Sequence, residues 1–189
     1  MLVIEEKLDR RIKRTRNAIL EAFQDLLAEK MFENISVQDL TERADINRGT
    51  FYAHFEDKYA LLDYWIGQLV RQEIEKRTLN CDFYTPDNLR SLISMVCELL
   101  SCTRRDCLQP QPQFESLVEG PFKKQVFELL SHWLEQSKSE ISTEIPATVA
   151  TWAIYGLASQ YTHNKNRPNL EKFVDDALPL VAVNLEKFV

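Results

Sequence analysis

Apolar residues recur at steps of three, four and seven along most of this chain of 189 residues. The first such segment predicts a helix from about Asp9 to Lys30. Its apolar stripe consists of Ile12, Ile19, Phe23, Leu26 and Leu27. No run alternates β-branched and polar residues as a half-buried strand does, and the chain holds only 4 glycines. The pattern therefore predicts an all-α protein.

Two short helices joined by a tight turn are predicted within residues 36–55, SVQDLTERADINRGTFYAHF. Ser36 begins the first of them as an N-cap. The turn contains Asp45 at a position that requires a left-handed backbone, which aspartate tolerates better than most residues. Asn47 then caps the second helix. This arrangement is typical of a helix-turn-helix.

The remainder of the chain predicts helices separated by prolines. Asp57 caps a long helix that reaches about Leu79. The later helices are predicted at Leu89–Leu100, Pro121–Glu140, Pro146–Asn164 and Asn169–Phe188, with an irregular or short helical segment at Leu108–Val118. Pro121 and Pro146 are expected at first helical positions, and Pro179 is expected to kink or break the last helix. We therefore predict a three-helix N-terminal domain over residues 8–70 and a larger helical domain over residues 71–189.

Charge is distributed unevenly along the chain. Residues 7–16, KLDRRIKRTR, hold six basic side chains and one acidic side chain, although the whole chain has a formal net charge of -6. Salt screens attraction to phosphates beyond about 10 Å, so local charge matters more than the total. A basic segment followed by a helix-turn-helix predicts binding to double-stranded DNA.

The polar face of the second short helix supplies candidate DNA contacts. Arg48 can donate two hydrogen bonds to a guanine, and Gly49 allows close approach to the DNA backbone. Thr50, Tyr52 and His54 are suited to phosphate oxygens, and Lys58 lies where a helix N-terminus favours a phosphate. The predicted DNA-contact set is Arg14, Ser36, Asn47, Arg48, Gly49, Thr50, Tyr52, His54 and Lys58.

Other classes of function receive little support from the sequence. The cysteines, Cys81, Cys97, Cys102 and Cys107, match no zinc spacing and are expected to be buried thiols, so we expect no metal or cofactor. No glycine-rich phosphate loop or nucleophile–base spacing favours an enzyme. No basic head precedes an apolar stretch, and the apolar run 147–158 is shorter than the roughly 20 residues that span a bilayer. We expect a cytoplasmic protein with no membrane partner.

Residues 10–70 resemble the N-terminal domain of TetR-type transcriptional regulators. The resemblance rests on TRNAILEAFQDLLAEKMFENISVQDLTERADINRGTFYAHFEDKYALLDY, within which RGTFYAHFEDKYALL is highly specific. One departure is Asp45, where that family most often has glycine. The resemblance implies a homodimer in which each subunit presents one recognition helix to half of a palindromic operator.

The resemblance also implies two sites in the C-terminal domain. Its dimer interface is expected on the last two helices, at Trp152, Leu157, Phe173, Leu178, Val181 and Leu185. An effector pocket, for a small molecule or a protein, is expected at Trp65, Phe122, Phe127, Trp133 and Tyr155. The aromatic residues of the second set are also compatible with an ordinary core.

Two functions remain open on these grounds. The first is a transcriptional regulator, most simply a repressor that an effector releases from DNA. The second is a coregulator that retains the fold and has lost contact with DNA. The basic segment and the polar helix face are both intact, which favours DNA binding.

Overall fold

The computed structural model describes residues 10–77, 83–106, 112–136 and 143–185, and every regular element within them is helical. The α-helices are α1 (Arg10–Glu29), α2 (Val37–Arg43), α3 (Arg48–Tyr52), α4 (Lys58–Arg77), α5 (Pro86–Asp106), α6 (Pro112–Gln136), α7 (Glu144–His163) and α8 (Leu170–Ala182), and a 3-10 turn spans Phe32–Asn34. The predicted all-α fold is confirmed. Lys7, Asp9 and Phe188 lie outside the described residues.

The residues group into two compact units, and the change of unit along α4 falls between Ile66 and Gly67. Among the described residues, the first unit contains α1 to α3 and the start of α4, together with residues 104–106 and 112–118. The second contains residues 67–77, 83–103, 119–136 and 143–185. Residues 104–106 and 112–118 come from the region that the sequence places in the C-terminal domain.

The core of the first unit is aromatic. Phe23 on α1 meets Phe32 and Trp65 edge-on, with ring centroids 6.1 and 5.8 Å away. Phe51 on α3 lies 6.0 Å from Phe55, and both are buried. Because edge-to-face pairs fix ring orientation as well as distance, the two pairs of Phe23 hold α1 against the 3-10 turn and α4, while burial of Phe51 anchors α3. The predicted stripe of α1 is buried from Ile19 to Leu27, whereas Ile12 is exposed in the first turn.

The second unit is built from helices whose apolar residues recur at steps of three and four. Its buried residues include Leu89, Leu92, Ile93 and Val96 on α5, Phe122, Val126, Leu130 and Trp133 on α6, Ala147, Ala150, Ile154 and Ala158 on α7, and Val174, Ala177 and Val181 on α8. Tyr161 and Phe173 join α7 to α8 with ring centroids 4.9 Å apart. Arg90 on α5 forms an ion pair with Asp175 on α8.

The prolines do not divide the helices as predicted. Pro121 lies inside α6, which begins at Pro112, so a helix start at Pro121 is wrong. Pro146 is the third residue of α7, where its missing N–H costs nothing because first-turn N–H groups lack helical partners. α8 continues through Pro179 to Ala182. An interior proline costs about 3 kcal/mol, and we attribute its tolerance to burial of nearby residues, Phe122 directly after Pro121 and Val181 two residues after Pro179.

The turn between α2 and α3 has the backbone that the sequence predicts. Asp45 has a φ of 52°, and among the described residues other than glycine it alone has a positive φ. The amide of Ile46 donates to the carbonyl of Thr41 at 3.0 Å, which closes the turn after α2. Ile46 itself is half-buried. The direction in which α3 leaves α2 therefore depends on one left-handed residue.

None of the described helices combines the length and the apolar character that crossing a lipid bilayer requires.

Substitution at Asp45 tests the left-handed turn. We expect Asp45→Val to lower the free energy of unfolding by about 1–2 kcal/mol, because a β-branched side chain is strained at positive φ. Asp45→Gly should change it by less than about 1 kcal/mol, since relief of strain offsets the greater freedom of the unfolded chain. Denaturant unfolding measures both. Glu21→Val, on the exposed face of α1, is the control, and an equal loss there would contradict a special role for the turn.

Candidate nucleic-acid interface

α2 begins with two reciprocal hydrogen bonds. The Ser36 hydroxyl accepts from the Asp39 amide at 3.1 Å, and the Asp39 carboxylate accepts from the Ser36 amide at 2.7 Å. Asp39 also pairs with Lys30 at 2.7 Å. The hydrogen bond from Lys30, and then those from Ser36, hold the pKa of Asp39 far below its usual value. The predicted N-cap is confirmed, and it shows that the Ser36 hydroxyl is already hydrogen-bonded within the chain.

α2 is also joined to α1 by an ion pair. Arg43, in the last turn of α2, donates to Glu29 at 2.7 Å and lies 3.6 Å from Asp25. The hydrogen bond from Arg43 lowers the pKa of Glu29. These surface ion pairs contribute modestly to stability. Together with the burial of Leu40, they hold α2 against α1.

Asn47 caps α3, as predicted. Its side-chain oxygen accepts from the Thr50 amide at 2.7 Å and from the Thr50 hydroxyl at 3.0 Å. A Cβ on Gly49 would lie 3.2 Å from the same oxygen. The absence of a side chain at Gly49 therefore protects the cap, in addition to the predicted close approach to DNA. Asn47 and Thr50 together form the N-terminal cap of α3.

α3 has one buried and one open face. Phe51 is fully buried, whereas Arg48 is exposed and Tyr52 is 50% exposed. The Arg48 guanidinium lies 3.4 Å from the Tyr52 hydroxyl, one helical turn away. Because Phe51 cannot leave the core without a large cost, the helix must present Arg48 and Tyr52 to solvent.

The structure adds a residue that the predicted contact set omitted. The Arg16 guanidinium lies over the ring of Tyr64 at 5.0 Å and near that of Phe55 at 6.0 Å. Its Nε is buried and has no hydrogen-bond partner in the described part of the chain. The sequence does carry one signal for this environment: Arg16 lies three residues before Ile19, on the edge of the apolar stripe, where a side chain is expected to be partly buried. Arg14, which the sequence did select, is exposed.

Arg16 also affects His54. Burial, and then the positive charge of Arg16, lower the pKa of His54. His54 is half-buried, and its ring lies 6.4 Å from that of Phe55. A neutral imidazole is therefore favoured at neutral pH, and it can donate one hydrogen bond without adding charge.

Lys58 has a geometry that the sequence did not predict. Its ammonium donates to the backbone carbonyls of Phe32, Glu33 and Ile35 at 3.0, 2.9 and 2.9 Å. Burial lowers the pKa of Lys58, partly countered by the negative charges of Glu33 and Asp39. A phosphate contact from Lys58 would require loss of at least one of these bonds.

The residues predicted for an effector pocket have different environments. Trp65 belongs to the first unit, and the other four belong to the second. Phe122 and Trp133 are buried in the second unit, whereas Phe127 and Tyr155 are half-buried. A pocket at these residues stays a prediction.

The residues predicted for a dimer interface also differ in exposure. Trp152 is exposed, and Leu157, Phe173 and Leu178 are half-buried. Val181 and Leu185 are buried within their own chain, so they are core residues and cannot contact a partner in this conformation. Val181 shares one face of α8 with the buried Val174 and Ala177, whereas Leu185 follows the end of the helix.

The described residues contain no group of histidine, cysteine and acidic side chains that could hold a metal ion. Burial raises the pKa of the Cys97 thiol to about 12, so this cysteine stays protonated at neutral pH. Cys81 and Cys107, and the side chain of Cys102, lie outside the described part.

Comparison with known proteins places the strongest similarity in the first unit. The model of the family "Bacterial regulatory proteins, tetR family" matches residues 19–64. The HTH-type transcriptional regulator YxbF of Bacillus subtilis (strain 168) is 40% identical over 76 residues, which are 40% of this chain and 20% of that protein. DhaS of Lactococcus lactis (strain IL1403), a transcriptional activator of the dhaKLM operon, is 40% identical over 52 residues, which are 28% of this chain and 27% of that protein.

These matches thus span only about a fifth and about a quarter of the lengths of the two relatives. The fold as a whole is similar to that of a TetR-family regulator from Streptomyces coelicolor A3, with a TM-score of 0.64 at 16% identity. That similarity covers 92% of this chain and 96% of the other. Residues 19–64 thus match the tetR family of bacterial regulatory proteins, and the chain shares its helical fold with a TetR-family regulator over about nine-tenths of its length.

Proposed function

We propose that this chain is a transcriptional regulator that inserts α3 into the major groove of duplex DNA. The observation that carries the proposal is the two-sided character of α3. Phe51 anchors one face in the core, and the other face exposes Arg48 and Tyr52. An arginine near the start of a recognition helix can donate two hydrogen bonds to guanine O6 and N7. Tyr52 stabilises the arginine side chain through its hydroxyl.

Phosphate contacts are proposed for α1 and for the margin of α3. Arg14 is exposed on α1, and Arg16 is held against Tyr64 beside His54. A guanidinium stacked on an aromatic ring loses little freedom when it binds a phosphate, because its orientation is already restricted. His54 completes the proposed set as a neutral donor, whereas the single hydroxyl proton of Thr50 is already donated to Asn47.

The proposed active form is a homodimer in the cytoplasm. On α7, Ile145 and Trp152 are 72% and 59% exposed and lie on one face with the exposed Val149. Leu180 on α8 is 65% exposed, and Val183, the residue directly after α8, is also exposed. Large apolar side chains grouped in this way are typical of an interface. These five residues, together with the half-buried Leu157, Phe173 and Leu178, form the proposed dimer surface.

Dimerisation would present two α3 helices to the half-sites of a palindromic operator, roughly 34 Å apart. We propose that an effector bound in the second unit changes this separation and thereby releases the operator. Repression is the simplest outcome of operator occupancy. Activation is the second candidate, because DhaS, an operon activator, is 40% identical over 52 residues. We propose no catalytic step.

Salt dependence of binding tests the proposal directly. Duplexes selected from a random pool should bind with a log–log salt slope of about -0.9 for each phosphate that the protein neutralises. Fluorescence anisotropy at several salt concentrations measures the slope. A coregulator that has lost DNA contact would enrich no sequence and show no duplex affinity, which would refute the proposal.

Arg48→Ala tests base reading. We expect a loss of roughly 1–3 kcal/mol in binding free energy and relaxed discrimination at one base pair per half-site, because the bidentate contact is removed. Arg14→Ala is the matched control: it should weaken binding to all sequences alike and reduce the salt slope by about 0.9. If Arg48→Ala kept the full sequence preference, other residues would have to read the bases.

Val149→Glu and Leu180→Glu test the dimer surface. Each places a charge where the partner would exclude water, so we expect dissociation to monomers at micromolar concentration and loss of operator binding. Sedimentation velocity measures the mass. Phe83→Glu is the control, since Phe83 is an apolar residue outside α7 and α8 whose exposed fraction lies between those of Val149 and Leu180. Dimers that persist in both α7 and α8 variants would exclude this surface.

A further inference from the structure

The Lys58 ammonium connects two segments that lie on either side of the helix-turn-helix. Lys58 is the first residue of α4, directly after the turn that follows α3. Its three acceptors, the backbone oxygens of Phe32, Glu33 and Ile35, precede it by 26, 25 and 23 residues. We call these oxygens the three-carbonyl site. Residues 36–57, which include α2 and α3, lie between the two segments that the ammonium joins.

The hydrogen-bonding capacity of the ammonium is fully used. A lysine ammonium has three donors, and the three-carbonyl site accepts from Lys58 at three positions. The ammonium also lies 4.7 Å from the ring centroid of Phe32 and 5.7 Å from that of Tyr59. A lysine whose only role was to bind phosphate would be solvated and mobile in the free protein. Lys58 is instead half-buried, with its ammonium surrounded by three carbonyls and two aromatic rings.

The acceptors belong to the segment that sets the start of α2. Phe32 and Glu33 lie in the 3-10 turn, where the amides of Asn34 and Ile35 donate to the carbonyls of Met31 and Phe32. Ile35 directly precedes the N-cap Ser36. Without the ammonium, the carbonyls of Glu33 and Ile35 would lose this donor, and the carbonyl of Phe32 would keep the amide of Ile35. The turn would then be less stable, because hydrogen bonds to a charged donor are about twice as strong as neutral ones.

We propose that Lys58 is a positioning residue, which fixes α2 and α3 by joining both ends of the helix-turn-helix through the three-carbonyl site, and that it does not bind phosphate. The consequence for DNA recognition rests on the function proposed above. The internal role does not, and the free protein can test it.

The wild-type protein provides the first measurement. In the free state, the Lys58 ammonium should give a resolved ¹⁵N–¹H signal, because protons held by three carbonyls exchange slowly with water. It should show scalar coupling to the carbonyl carbons of Phe32, Glu33 and Ile35. Addition of the selected duplex should leave these couplings in place. Absence of the couplings in the free protein, or their replacement by coupling to phosphorus on binding, would overturn the proposal.

Variants provide the second measurement. In Lys58→Met, amide exchange at Asn34 and Ile35 should accelerate by about tenfold or more without DNA, since a charged hydrogen bond changes an opening equilibrium by about that factor. Lys58→Arg should fail to restore protection, because a planar guanidinium cannot direct three donors from one nitrogen to the site. Lys124→Met, at an exposed lysine of α6, should leave both amides unchanged.

DNA binding distinguishes the two roles once a selected duplex is available. A positioning role predicts weaker binding by Lys58→Met with an unchanged salt slope, whereas a phosphate ligand predicts a slope smaller by about 0.9 and rescue by Lys58→Arg. A smaller salt slope for Lys58→Met, rescue by Lys58→Arg and unchanged amide exchange at Asn34 and Ile35 would together refute the inference. Failure of every variant to bind any duplex, with the couplings intact, would refute the proposed function and leave the internal role of Lys58 standing.

Discussion

A helix of five residues cannot persist without support from the rest of the protein. α3 spans only Arg48–Tyr52, and isolated helices shorter than about 12 residues are marginal in water. Its structure therefore depends on neighbours: the Asn47 cap at one end, the burial of Phe51 along one side and the left-handed Asp45 before it. Each of these fixes a different degree of freedom. The cap sets where the helix begins, the phenylalanine sets its rotation, and the turn sets its direction relative to α2.

Local charge and total charge have separate roles in this chain. The net charge of -6 opposes indiscriminate attraction to nucleic acid. Two basic side chains of the first unit nevertheless carry a charge that the core does not require: Arg14 is exposed, and Arg16 lies over aromatic rings. Lys58 is different, because backbone oxygens solvate its charge. The sequence alone does not distinguish Lys58 from Arg14 and Arg16, since all three residues are basic and lie near the helix-turn-helix.

The features that depend on neighbours in sequence could be predicted. The Ser36 and Asn47 caps join residues three apart, and the left-handed Asp45 follows from the length of the turn. The environment of Lys58 could not be predicted, because its acceptors lie 23 to 26 residues away and are backbone atoms common to every sequence. The continuity of α6 through Pro121 was likewise missed, since it depends on tertiary packing that outweighs a local preference. Burial of Val181 and Leu185 shows the same limit: periodicity identifies an apolar face but not what covers it.

The crowding around the Asn47 side-chain oxygen restricts how α3 can evolve. That oxygen accepts two hydrogen bonds from Thr50 and leaves only 3.2 Å for a Cβ at Gly49. Positions 47, 49 and 50 are thus interdependent, and position 51 is held by the core. Under the proposed function, a lineage that drifts toward a different target sequence has its freest choices at positions 48 and 52. Divergence of specificity among descendants of this chain would then occur mainly at that pair of side chains, while packing and capping keep the intervening residues fixed.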